Sequence, residues 1–342
     1  MARSLSWGII GTGAIAGDFA RALRGSARCT VLNVAGTSYD KSLTFARHYE
    51  LPRAARSVEE LLADPDVSAV YVATPHPAHE SCALRAIAAG KHVLCEKPLT
   101  VDAASSARLI DAARASGVFL MEAYMYRSHP ILERLLSALS SGVIGTIRHV
   151  QADFSFRSER NPHGRLFDSA QAGGGILDVG GYPMSFARLI AGVRENKHFC
   201  EPTALQASGI IGPSGVDELA TALLEFESGM TASISSGVHF DVGRSARILG
   251  DGGYIQFDAP WTPRGGRHGL ENSFVICRVG RESETVGVRC DQATYAIEAE
   301  LVADSLPAQE AAWPAMTWDD TLGNMQALDA WRAAVDHRGT RL

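Results

Sequence analysis

The first third of the chain alternates between two periods of apolar and polar residues. Trp7-Gly8-Ile9-Ile10 reads as a short buried strand, and the apolar positions over 15–23 recur at helical spacing. A strand over 30–35, a helix over 41–49 and a helix opening at Ser57-Val58-Glu59-Glu60 come next, where Ser57 and Glu60 have the spacing of a capping box. Then follow a strand over 69–73, a helix over 78–89, a strand over 92–95, a helix over 101–115 and a strand over 118–121. Alternating strand and helix units predict a mainly parallel sheet covered on both faces. Beyond a helix containing 131–139 the rhythm changes. Strands are predicted over 146–156, 203–211, 219–226, 230–237, 244–249 and 254–257, with one strong helix over 179–190. Strands separated by turn-sized gaps predict an antiparallel sheet with one open face. The fold class is therefore α/β followed by α+β. Residues 1–122 are expected to form a dinucleotide-binding domain, and 123–342 a substrate-binding and oligomerisation domain. The amphipathic stretch 318–335 is predicted to be a final helix that can pack back on the first domain.

The turn between the first strand and helix reads Gly11-Thr12-Gly13-Ala14-Ile15-Ala16. Gly11 permits the tight turn, Gly13 lets the backbone approach a pyrophosphate at the helix N-terminus, and Ala16 is small enough for close helix-on-strand packing. The strand over 30–35 should end beside the adenosine ribose, where an acidic residue would accept from the 2′-hydroxyl of NAD. Gly36-Thr37-Ser38-Tyr39 stands there instead. Hydroxyls at the tip, with Lys41 and Arg47 on the following helix, favour NADP, while NAD stays possible. The competing reading makes Thr37 and Ser38 plain turn residues and Asp40 a helix cap.

Composition narrows the class. A chain of 342 residues, 46% hydrophobic, can bury two cores, and its net charge of −6 leaves no basic footprint for nucleic acid. With no apolar run long enough to span a bilayer, and a first strand that starts almost at once, a cytoplasmic protein is expected. Six scattered cysteines without Cys-x-x-Cys spacing argue against a zinc site or a disulfide framework.

Two further segments carry candidate chemistry. Lys97, in Cys95-Glu96-Lys97-Pro98-Leu99, follows the fourth predicted strand of the first domain. Gly173-Gly174-Gly175 precedes Ile176-Leu177-Asp178-Val179-Gly180-Gly181-Tyr182-Pro183. Three successive glycines suit a backbone that passes close to another body. Pro183 suits a first helical turn, which would start the helix near Val179 or Gly180 and put Asp178 near its N-cap. Asp178 and Tyr182, four apart, share a helix face. Asp178 is therefore either a cap or part of a site.

The glycine loop, Ala73-Thr74-Pro75-x-x-x-His79, Glu96-Lys97-Pro98, the run from Met121 through Tyr126-Arg127 to His129-Pro130, and the triple-glycine helix start together resemble the family of glucose-fructose oxidoreductase, inositol dehydrogenase and the rhizopine-catabolism proteins (Gfo/Idh/MocA). The resemblance covers most of the chain. It implies a Rossmann domain, an open-faced antiparallel second domain, and homodimers or homotetramers formed through that face. Tyr182 stands where the family's inositol dehydrogenases carry histidine, which is similar instead to the branch of dihydrodiol and D-xylose dehydrogenases. The resemblance implies a hydride moved between nicotinamide and a sugar or polyol hydroxyl. NADP would be held by Gly11, Thr12, Gly13, Ala14, Ile15, Thr37, Ser38, Thr74, Pro75, His76, His79, Glu96 and Lys97.

Hydride removal from a carbinol requires its hydroxyl proton to leave. Lys97, Tyr182 and Asp178 are the catalytic candidates. Either Tyr182 transfers the proton while Lys97 favours the phenolate and orients the hydroxyl, or Lys97 is the base and Tyr182 the orienter. Tyr126, Arg127, Arg157 and Arg165 are candidate substrate contacts, together with Lys97, Asp178 and Tyr182; Arg127 and His129, just ahead of a helix, are equally read as structural caps. The cationic stretch Arg157, Arg160, Asn161, Arg165 is either a solvated loop or a grip for hydroxyls or an anionic substituent. His76 and His79 lack a third ligand, so no metal is expected. Two alternatives stand beside a sugar dehydrogenase: a nucleotide-sugar 3-ketoreductase, and a non-catalytic dinucleotide sensor on the same fold.

Overall fold

A computed structural model describes residues 4–262 and 271–338. The chain divides into two compact units. The first runs to His129 and regains Cys290–Thr321; the second holds the described residues between those segments and from Leu322 on.

In the first unit, β1 (Leu5–Ile10), β2 (Cys29–Ala35), β3 (Ala69–Val72), β4 (His92–Glu96) and β5 (Leu120–Ala123) form a parallel sheet in the order β2-β1-β3-β4-β5. Every residue of β3 is buried, as expected of a strand covered on both faces. The helices are α1 (Ala14–Leu23), α2 (Tyr39–Tyr49), α3 (Val58–Ala63), α4 (His79–Ala88) and α5 (Ala103–Ser116). The strand order reverses between β1 and β3, so the loops after those two strands open on the crevice where doubly wound sheets take ligands.

This unit departs from the sequence boundary in two ways. It extends past 122, because β5 is an edge strand of its sheet and the 3₁₀ turn Met125–Ser128 stays with it. It also takes back a helix the sequence reading did not see, α8 (Thr294–Ser305), whose Ala296, Ala299, Val302 and Ala303 join Trp7 and Phe19 in one core. Alanines on the buried stripe carry little hydrophobic signal, which hid this helix. The final helix, α9 (Trp318–Arg338), gives only its first residues to this unit and the rest to the second.

The second unit holds α6 (Pro130–Ser140), α7 (Gly181–Glu195) and eight strands: β6 (Ile147–Ser155), β7 (Ala204–Ile211), β8 (Asp217–Glu225), β9 (Thr231–Gly237), β10 (Ala246–Gly250), β11 (Gly253–Phe257), β12 (Glu271–Arg278) and β13 (Glu284–Arg289). Their order is β13-β12-β11-β10-β6-β9-β8-β7, and all neighbours are antiparallel except β6 and β9. The strands β12 and β13 were not predicted; β13 buries no residue fully, so it shows no alternation to read. Helix α7 packs on β6 and β9. In β8, Ala220, Ala222 and Leu224 are buried while Thr221, Leu223 and Glu225 between them are exposed, so one face of the sheet is open.

Candidate active site

Gly11 bonds back to the end of β2, its N–H donating to Ala35 O at 2.8 Å. Its φ is +119°, and a Cβ there would lie 2.3 Å from Ala73 O, so only glycine serves the turn. Gly13 is the N-cap of α1, and a Cβ on it would meet no protein atom within 4 Å. The first turn of α1 carries neither a side-chain cap nor an acidic residue, with Ala14 exposed and Thr12 and Ile15 half-buried. An open space above uncapped amides at the switch point fits a dinucleotide pyrophosphate. Gly13→Val is expected to leave the unfolding midpoint nearly unchanged and to weaken cofactor binding about 100-fold, a cost of roughly 3 kcal/mol in affinity arithmetic. Titration of cofactor fluorescence with the purified variant checks this.

At the tip of β2, Thr37 and Ser38 are exposed. Ser38 accepts from Lys41 N at 3.4 Å and so caps α2, the part the sequence offered to Asp40. Arg47 sits in the last turn of α2, about 12 Å of helix rise from Tyr39 at the tip, too far to serve it.

After β3, Pro75 leads into a short 3₁₀ turn, His76–Ala78. His79 does not face a ligand space. It is fully buried, with Nδ1 2.8 Å from Pro98 O and Nε2 2.8 Å from Thr74 O. Burial lowers its pKa against the pull of those two carbonyls. His79 thus ties the loop after β3 to the Glu96-Lys97-Pro98 segment, a positioning role in place of the expected cofactor contact. Glu96 is buried and accepts from the Tyr71 hydroxyl. Lys97 is half-buried at the carboxyl end of β4. Among the described residues no cluster of three or more His, Cys, Asp or Glu side chains could hold a metal.

Glu122, on β5, was missed as a site-supporting residue. Its Oε1 accepts from Leu99 N at 2.9 Å, fixing the backbone just past Lys97. Burial first, and Asp320 next among the raising effects, push its pKa up to about 7, against bonds from Leu99 and Thr321 and the charge of Lys97. The native state therefore keeps a proton that the unfolded chain releases near its ordinary value of 4.5. The stability this lends is complete below the ordinary value and drains as pH rises through about 7. The difference is on the order of 3 kcal/mol. Glu122→Gln keeps the acceptor and removes the titration. Its unfolding midpoint is expected to fall less than that of the wild type between pH 5 and 8, as thermal melts across that range would show.

Arg127 departs from its expected substrate role. Its Nη2 pairs with Asp320 Oδ2 at 2.6 Å and its Nε donates to Pro314 O at 2.6 Å, with both charged side chains 1% exposed. In the unliganded chain this guanidinium is spent on Asp320 and Pro314 O and offers no exposed edge to a substrate. Tyr126 is also buried, with its ring 6.0 Å from the Arg127 guanidinium.

In the second unit the helix begins earlier than its Pro183 implies. Helical backbone starts at Gly175 and passes through a π turn, Ile176–Gly180, before α7. Asp178 lies inside that π turn, its N–H donating to Gly174 O at 3.2 Å, so it is not a cap. The capping part falls to Asp217 on β8, whose Oδ2 accepts from Ile176 N at 2.7 Å. Gly174, at φ +107°, would place a Cβ 2.2 Å from Asp217 Oδ1, so the glycine lets this carboxylate approach. Burial drives the Asp217 pKa up to about 7 despite those amides and Arg332. No local signal pairs a helix start with an aspartate some forty residues later. A cavity of about 80 Å³ beside it, lined by Ser169, Gly173, Ile176, Asp217, Arg332 and Asp336, is too small for a sugar.

Asp178 is buried and accepts from Arg165 Nη1 at 2.7 Å, while the arginine side chain is 53% exposed. The Tyr182 ring is buried edge-on against Phe154, at 5.0 Å between centroids, and 6.2 Å from Trp261. Arg160 makes a two-pronged pair with Glu218, at 2.8 and 2.6 Å. Arg157 is exposed. The second unit thus joins Arg165 to Asp178 one helical turn before Tyr182, and commits Arg160 elsewhere.

Comparison with known proteins agrees with this layout. Residues 5–124 match the model of an oxidoreductase family with an NAD-binding Rossmann fold, and residues 132–256 match the GFO/IDH/MocA C-terminal domain. Trans-1,2-dihydrobenzene-1,2-diol dehydrogenase of Mus musculus is 37% identical over 262 residues, 76% of each chain, and that of Homo sapiens is 34% identical over 263 residues, also 76% of each. Among solved structures, a 3-ketoreductase from Actinomadura kijaniata in complex with NADP and TDP-benzene superposes with a TM-score of 0.85 at 26% identity, covering 97% of this chain and 98% of its own. The aldose-aldose oxidoreductase of Caulobacter crescentus shares the fold, with a TM-score of 0.84 at 23% identity over 98% of both chains. With an NAD(P)-binding loop at the switch point and these relatives, the chain belongs to the GFO/IDH/MocA family of oxidoreductases.

Proposed function

We propose that this oxidoreductase prefers NADP and acts on a secondary hydroxyl of a ring-shaped substrate, a sugar, a polyol or a cyclic trans-diol. What supports the reading is above all the half-buried Lys97 at the carboxyl end of β4, next to the switch-point strands, with its loop held by His79 and Glu122. The nicotinamide, when bound, supplies the hydride acceptor or donor. The protein's part is to handle the proton. In this reading Tyr182 takes it from the substrate hydroxyl, Lys97 favours the phenolate through its charge, and Asp178 with Arg165 orients the hydroxyls. The dihydrodiol dehydrogenases argue for a neutral diol or sugar. The ketoreductase neighbour keeps a nucleotide-sugar ketone as the second reading, favoured by the exposed Arg157. Copies would pair through the open sheet face, where Ile210 and Leu223 are 45% and 43% exposed.

The test is nicotinamide absorbance with the purified chain, NADP⁺ or NAD⁺, and a panel of aldoses, inositols and trans-cyclic diols. Reduction with at least one of them, faster with NADP⁺, is expected. No turnover on the panel, despite tight cofactor binding, would overturn the reading in favour of a sensor or a nucleotide-sugar enzyme.

A further inference from the structure

We infer that Arg56 is the residue that selects NADP, binding the 2′-phosphate from outside the loop that follows β2. This rests on the NADP preference proposed above and names the residue responsible for it. The tip itself, Gly36-Thr37-Ser38-Tyr39, holds no arginine, and the helix that follows offers only Lys41 near enough to matter. The cation comes instead from a neighbouring stretch of chain. Arg53 N donates to Leu32 O at 3.0 Å and Ala55 N donates to Val34 O at 2.9 Å, so the segment 53–55 runs beside β2, the edge strand of the sheet. One residue further along that alignment, Arg56 comes level with the end of β2, where the ribose of a bound dinucleotide lies.

The side chain is held there. The Arg56 guanidinium carbon lies 5.4 Å from the centre of the Tyr39 ring, and Tyr39 opens α2 immediately after Ser38. A guanidinium held over a ring by the attraction of its charge keeps N–H donors for an anion. This also accounts for Tyr39, a large aromatic that is 38% exposed. The surrounding carboxylates leave the charge uncommitted. Glu60 accepts from the Arg56 backbone N–H at 2.9 Å, and Glu59 pairs with Arg85. Arg53 is taken by Asp64 and Asp66, whereas no ion pair of Arg56 occurs among the described residues. Asp40, in the first turn of α2, is the remaining acidic group nearby. An uncommitted guanidinium beside two exposed hydroxyls, Thr37 and Ser38, matches a phosphate monoester and gains nothing from a bare 2′-hydroxyl.

The experiment is binding, by calorimetry on the full chain, of NADP⁺, NAD⁺, 2′,5′-ADP and 5′-AMP. The wild type is expected to hold NADP⁺ and 2′,5′-ADP at least 10-fold tighter than their unphosphorylated counterparts. Arg56→Ala should lose about 10- to 100-fold for the two phosphorylated ligands, as charge-assisted hydrogen bonds are lost. Its affinity for NAD⁺ and 5′-AMP should stay within about twofold. Arg56→Lys should recover part of the loss, and Tyr39→Leu should lose part of it by freeing the guanidinium. A wild type that prefers NADP⁺ with an Arg56→Ala that follows it, or that weakens all four ligands alike, would overturn the assignment of Arg56 alone. A wild type that binds NAD⁺ as tightly as NADP⁺ would overturn the NADP preference and the assignment with it.

Discussion

Tyr182→Phe is expected to lower kcat by about 10²- to 10⁴-fold, the range of a lost proton-transfer group, while cofactor affinity stays within about twofold. The ring of Tyr182 packs against Phe154 and near Trp261, so phenylalanine keeps the volume and the aromatic contacts and removes only the hydroxyl. Fold stability should therefore be nearly unchanged. The size of the effect also separates the two assignments that residue types alone leave open. If Lys97 is the base and Tyr182 an orienting group, the variant loses one hydrogen bond to substrate and about 10-fold in rate. Steady-state kinetics with the substrate found by the absorbance panel decides between them.

Arg127→Leu is expected to cost about 3–5 kcal/mol of stability, the toll of leaving one member of a buried ion pair alone. Asp320 would be left at 1% exposure with no guanidinium beside it, and Pro314 O would lose its donor. The double replacement Arg127→Leu with Asp320→Leu should recover most of the loss, because both charges then leave the interior together. Chemical denaturation followed by tryptophan fluorescence, to which the buried Trp318, its indole N–H donating to Leu120 O in the same unit, contributes, reports it. A stable Arg127→Leu with a raised KM would return this arginine to the substrate and contradict the structural role.

These expectations separate what the residue pattern reveals from what it hides. The loop from Gly11 to Ala16 is legible because its chemistry is local: a strand, a turn only glycine can make, and a helix start lie within one short stretch. Ser57 and Glu60 are legible for the same reason, and the capping bond from Glu60 N to Ser57 is present. The start of the helix carrying Asp178 and Tyr182 is not, because its first free amide is satisfied by Asp217 across the second unit. Arg127 misleads for a related reason. A basic residue just ahead of a helix reads as lining the cleft until Asp320, far along the chain, is found against it. His79 stands between these cases: its place after β3 was visible, yet both ring nitrogens are spent on the carbonyls of Thr74 and Pro98. Helix α8 escaped because its buried stripe is largely alanine, and strand β13 because it buries no residue fully.

The most direct test of the account is a double-mutant cycle on kcat with Lys97→Met, Tyr182→Phe and the combined variant. If both residues act on one substrate proton, the combined variant is expected to be no more than a few-fold slower than the more damaged single one, because the second substitution removes a group already disabled. If the two losses multiply in full, Lys97 and Tyr182 act independently, and the shared proton-transfer site proposed for them is wrong.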